Sequence, residues 1–116
     1  MGVDAMVALV GKYNKTPSER REMRFDYSNW LCGNEVLRNF NTEVVPIPVI
    51  VDGIEVEDVA PLTVDTVLVT GPMTAKFFAQ GGTVGFRYRV RLFALTSDTQ
   101  LKEDGVLFYI TPGVDV

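Results

Sequence analysis

Phe86-Arg87-Tyr88-Arg89-Val90-Arg91-Leu92-Phe93-Ala94-Leu95 decides the fold. Phe86, Tyr88, Val90 and Leu92 alternate with Arg87, Arg89 and Arg91, the period-two pattern of a strand with one buried and one wet face. A helix would mix these two sets on one surface. The neighbouring segments read as strands able to cover the apolar face. Gln80-Gly81-Gly82 leads into the stretch from a strand at 74–79 containing Phe77 and Phe78. Ser97-Asp98-Thr99-Gln100 turns the chain out of it, toward a closing strand at 105–110 that carries Val106, Phe108 and Ile110 and ends at Pro112-Gly113.

Further out, Met23, Phe25 and Tyr27 alternate with Glu22, Arg24 and Asp26, which predicts a strand over 21–27. Ser28-Asn29-Trp30-Leu31 reads as a short helical turn that tucks Trp30 under the sheet, with Cys32 a small residue packed beside it. A second strand spans about 35–45 and is stopped by Pro46 and Pro48. Asp52-Gly53 predicts a small edge hairpin between Ile47–Val51 and Ile54–Val56. Residues 63–69 are apolar or β-branched on both faces and read as a central or doubly covered strand. The expectation is an all-β fold, an immunoglobulin-like antiparallel β-sandwich of about seven strands. Its core would hold Phe25, Trp30, Phe40, Leu68, Tyr88, Val90, Leu92 and Phe108. Tyr88 reads equally as a tyrosine corner or as a core tyrosine with its hydroxyl at the rim.

Residues 1–20 lack a sustained period and read as an extended N-terminal arm, with the sandwich occupying 21–116. The arm combines apolar Val3, Met6, Val7, Leu9 and Val10 with Lys12, Lys15 and Arg20. It reads either as a frayed terminus or as a segment, Val3 to Arg20, ordered only by partner subunits. The start lacks the basic region of a signal peptide, and Met6 stands where a myristoylation motif wants Ser or Thr.

Chemistry-bearing residue types are scarce. The 116 residues include no histidine and one cysteine, so histidine-based triads and internal disulfides are excluded. No nucleotide-binding glycine motif is present. Asp52, Glu55, Glu57, Asp58 and Asp65 read as a solvated acidic stretch rather than a metal site or a catalytic carboxylate pair. No cofactor, metal or enzymatic activity is expected. A net charge of −4 gives no global attraction to nucleic acid or anionic membrane. The Arg87, Arg89 and Arg91 stripe reads either as a solvated face paired with neighbouring carboxylates or as a surface for an acidic protein partner.

Two blocks carry a resemblance: Gly11-Lys12-Tyr13-Asn14-Lys15-Thr16-Pro17-Ser18-Glu19-Arg20-Arg21 and Phe25-Asp26-Tyr27-Ser28-Asn29-Trp30-Leu31. With Gly82 to Val90, Thr96-Ser97-Asp98 and Glu103 to Phe108, the chain resembles small immunoglobulin-like virion proteins of tailed bacteriophages. Pro46-Ile47-Pro48 and the acidic loop depart from that pattern. The resemblance implies a non-enzymatic virion protein, a capsid decoration or head, neck or fibre component, made in the host cytoplasm. Its partners would be capsid, neck or tail subunits, and it would be homo-oligomeric or multi-copy, without membrane or nucleic acid. Val7, Leu9, Lys12, Tyr13, Lys15, Arg20, Arg87, Arg89 and Arg91 are the expected partner-binding residues. The alternative is a tail- or fibre-associated module for host-surface glycans, for which Tyr13, Trp30 and Tyr109 are the candidate exposed aromatics.

Overall fold

The computed structural model describes residues 8–113, with side chains described from residue 11 onward. The described chain is all β. Nine strands follow in order: β1 Ala8–Lys15, β2 Arg20–Asp26, β3 Leu37–Ile47, β4 Ile50–Val51, β5 Ile54–Glu55, β6 Thr63–Val69, β7 Thr74–Gln80, β8 Arg87–Thr96 and β9 Leu101–Ile110. A four-stranded sheet, β1-β9-β8-β3, packs on a three-stranded sheet, β2-β7-β6, while β4 and β5 form a separate hairpin.

The core lies between the sheets because the alternating apolar residues of each inner face have nowhere else to exclude water. Tyr88, Val90, Leu92 and Ala94 of β8 meet Val106, Phe108 and Ile110 of β9, and across the gap Met23, Ala75, Phe77 and Ala79. Phe77 stacks on Phe25 at 5.6 Å between ring centroids and meets Phe108 edge-on at 6.5 Å. Phe40, Tyr88, Val90, Leu92 and Phe108 are buried as expected, whereas Phe25 and Trp30 are half-buried and pack against the core from its margin. Tyr88 fits both readings of its role. Its ring is fully buried, its hydroxyl donates to Asp58 Oδ2 at 2.8 Å, and it accepts from the Thr83 amide five residues upstream at 3.1 Å.

Several expectations are corrected. Ala8–Lys15 is not ordered only by partners: β1 pairs parallel to β9 of the same chain, from Ala8 opposite Asp104 to Lys15 opposite Ile110. A bulge between Leu9 and Gly11 breaks its alternation and hides the strand pattern. Gly11 suits the tight site, since a Cβ there would lie 2.5 Å from the Tyr13 hydroxyl oxygen. Val3, Met6 and Val7 lie outside the described residues.

Strand β6 is an edge strand, not a central one. Its register shifts between Asp65 and Leu68, where Thr66 takes a φ of 53°. One extra residue changes which parity faces inward. Val64 before the bulge and Val67 and Val69 after it pack on the core, and Leu68 turns outward, 40% exposed. Pro46 does not stop β3, because β3 is also an edge strand and can spare an amide. Cys32 is exposed rather than buried, with its Sγ 3.9 Å from the Trp30 carbonyl oxygen.

Candidate partner-binding surface

The outer face of the four-stranded sheet is built by register. Antiparallel pairing sets Arg87 of β8 between Ile47 of β3 and Tyr109 of β9, Arg89 between Val45 and Leu107, and Arg91 between Glu43 and Gly105. The three arginines therefore meet different neighbours. Arg91 is held by Glu43 at 2.8 Å and Glu103 at 2.6 Å, and both carboxylates keep its guanidinium above its ordinary pKa, Glu103 more than Glu43. Arg87 and Arg89 are exposed and make no ion pair among the described residues. Apolar or aromatic side chains flank both of them. The sheet face thus carries two free guanidiniums on a platform of half-buried Val45, Ile47 and Leu107 with Tyr109, 45% exposed. Arginine and tyrosine over a flat apolar surface is the composition enriched at protein–protein interfaces. Beyond Ile47 the β4–β5 hairpin exposes Ile50, Val51 and Ile54, so apolar surface continues from the end of β3.

The remaining expected site residues disperse. Lys12 is exposed on β1, beside Leu107 and so next to the arginine platform. Leu9 sits on the same strand opposite Gly105. Tyr13 points inward and packs on Phe108 at 5.9 Å, with the Arg21 guanidinium 5.6 Å above its ring. Lys15 is no surface contact: it is 1% exposed, and its ammonium donates to the carbonyls of Thr16 and Gly81, each at 2.8 Å. Burial pushes its pKa down, and the nearby charge of Glu19 partly offsets this. Arg20 lies on the opposite face of the sandwich, paired with Asp65 and 3.9 Å over the Phe78 ring. Val7 lies outside the described residues.

Sequence reasoning missed Val45, Ile47 and Leu107. The signal was present, since each shares the parity that points away from the core, but only the strand register shows that they flank Arg87 and Arg89. Among the described residues no group of three or more carboxylates and cysteine is placed to hold a metal ion. No helix is long and apolar enough to cross a membrane among the described residues.

Residues 15–109 match the family model described as podophage GP4 fiber-tail adaptor protein gp77. A comparison with individual curated proteins gives no match. The matched span starts at buried Lys15, the last residue of β1, and ends at Tyr109, so it takes in the three-stranded sheet, strands β3 and β8, nearly all of β9 and the whole arginine stripe. With most of its length inside that match, the chain belongs to the podophage GP4 fiber-tail adaptor gp77 family and is a structural protein of the bacteriophage virion.

Proposed function

We propose that the domain joins a fibre to the tail, and that the outer face of its four-stranded sheet is one of the surfaces by which it does so. The observation that carries this reading is the split in the arginine stripe: Arg91 is neutralised within the domain, while Arg87 and Arg89, without an ion pair among the described residues, lie over Val45, Ile47, Leu107 and Tyr109. A partner with carboxylates spaced across an apolar patch would take both guanidiniums and cover the platform. The family description favours the fibre–tail junction over the capsid lattice as the place of this contact. No catalytic step is needed for such a role, and multiple copies per particle fit it.

The test is particle assembly with the double variant Arg87→Glu/Arg89→Glu. It is expected to fold normally and to be lost from purified particles. An Arg20→Glu control on the opposite face is expected to be retained. Full occupancy by the double variant would overturn the reading.

A further inference from the structure

Where β3 ends against the β4–β5 hairpin, a groove of about 490 Å³ opens on the surface. Pro46, Ile47, Pro48, Val56 and Phe86 give it apolar walls. The two prolines bring no amide donor to it. Glu55, Glu57 and Asp58 complete the lining. The groove is anchored to the sandwich on its hairpin side. The Val56 amide donates to the Val49 carbonyl at 2.8 Å, and Asp58 accepts from the hydroxyls of Tyr88, at 2.8 Å, and Thr83. The hairpin is therefore tied to a fully buried ring, and a preformed groove costs little ordering when it is filled.

The three carboxylates have different situations. Asp58 is committed to its two hydroxyls. Glu55 and Glu57 are exposed and make no ion pair among the described residues. Two such carboxylates beside apolar walls favour a cation. A metal ion is a poor fit, since among the described residues no group of three ligands is placed to hold one. A small ammonium ion would leave the walls wet. A lysine or arginine side chain suits both parts of the groove: its methylene stem covers apolar wall while its head meets the carboxylates.

The groove is also continuous with the arginine platform. Ile47 lines it and stands opposite Arg87 on the outer face of the four-stranded sheet. The combined surface is bipolar, with Arg89 and Arg87 at one end, apolar residues between, and Glu55 and Glu57 at the other. It complements a partner whose charges run in the reverse order.

We infer that the groove receives a lysine or arginine of the same fibre or tail subunit that covers the arginine platform, so that the partner's docking surface carries carboxylates toward Arg89 and a cation toward the β4–β5 hairpin. The inference rests on the reading of that platform as a docking face.

The test uses intact particles. Glu55→Lys/Glu57→Lys changes two exposed side chains and leaves Asp58 in place, so the isolated chain should keep its thermal midpoint. Its occupancy in purified particles should fall about tenfold or more, because like charges then meet across the interface. Glu55→Gln/Glu57→Gln, which removes charge but not bulk, should lose less. Asp98→Lys, in the turn at the far end of β8, is the control and should be retained. p-Benzoylphenylalanine in place of Val56 should crosslink to the same subunit as position 109 does. This arm keeps both glutamates, so it holds even where the lysine variant is unstable. Full occupancy by Glu55→Lys/Glu57→Lys, an equal loss from Asp98→Lys, or a crosslink from position 56 only to a second copy of this chain would overturn the inference. Retention of Glu55→Lys/Glu57→Lys with loss of Arg87→Glu/Arg89→Glu would sink the groove alone. The converse would sink the platform and leave the groove as a contact of its own.

Discussion

The two outer faces of this sandwich are both charged, yet they use charge in opposite ways. On the three-stranded sheet, Arg20 meets Asp65, Glu22 meets Arg24 and Lys76, and the Arg20 and Lys76 cations both lie over the Phe78 ring. Each of these charges lies against an opposite charge within the domain. On the outer face of the four-stranded sheet Arg91 is treated this way, but among the described residues Arg87 and Arg89 have no ion pair and look out over apolar neighbours. Solvated, self-paired surfaces contribute little to stability and attract little. Free guanidiniums over apolar surface gain most when a partner covers them. The difference arises from register alone, since the carboxylates reach Arg91 but not its neighbours two and four residues away.

Adjacent residues of β8 should break the comparison most sharply. Tyr88→Ala removes a fully buried ring together with the hydroxyl that joins Asp58 to the Thr83 amide. It is expected to cost about 3–5 kcal/mol in urea denaturation, as for other aromatic-to-alanine changes in cores. Arg89→Ala, one residue away on the other face, should leave the urea midpoint unchanged and weaken incorporation into particles.

A smaller effect is expected where the chain crosses between the sheets. Gly82, in the β7–β8 loop, has a φ of 105°, and a Cβ there would lie 2.7 Å from Ile110 Cδ1. Gly82→Ala should therefore lower stability by about 1–3 kcal/mol, the cost of a side chain forced into that conformation, read as a fall in the thermal midpoint.

Asp104→Asn should act in the stabilising direction, by about 1 kcal/mol at neutral pH, because it removes a buried charge while keeping the shape. The sign of its pH dependence follows from the raised carboxyl pKa of the folded protein. The destabilising contribution of Asp104 is fully present above that folded value. It fades as pH falls through it and is gone below the ordinary value of 3.8. Thermal melts should therefore show the gain of Asp104→Asn at pH 7 shrinking toward pH 4. A gain that grew in acid would contradict the burial of this carboxylate.

The smallest effect belongs to the self-paired face. Asp65→Asn releases Arg20 but leaves both side chains in solvent. Neither the thermal midpoint nor particle occupancy should change measurably. A clear loss of occupancy would show that this face also docks, and the contrast between the two faces would fail.

Much of the sandwich was legible in the sequence because its strands keep strict alternation where they are regular. β8, β7, β2, the 97–100 turn and the Asp52-Gly53 hairpin appear where the pattern put them. The failures sit at bulges. One in β1 hid a strand of the main sheet, and one in β6 turned Leu68 outward. Composition also misled: Lys15 looked like part of a basic arm, yet it is buried and caps two carbonyls across the sandwich end. The closing strand was expected only from residue 105, yet β9 starts at Leu101 and Asp104 shares the inward parity of Val106, Phe108 and Ile110. The arginine stripe was visible, but only the strand register separates the paired Arg91 from Arg87 and Arg89.

Photocrosslinking in intact particles tests the docking face most directly. p-Benzoylphenylalanine replaces Tyr109, beside Arg87 on the four-stranded sheet, or Phe78, at the centre of the self-paired face. The account predicts a crosslink from position 109 to a fibre or tail subunit and none from position 78. Crosslinking from position 78 with none from position 109 would contradict it.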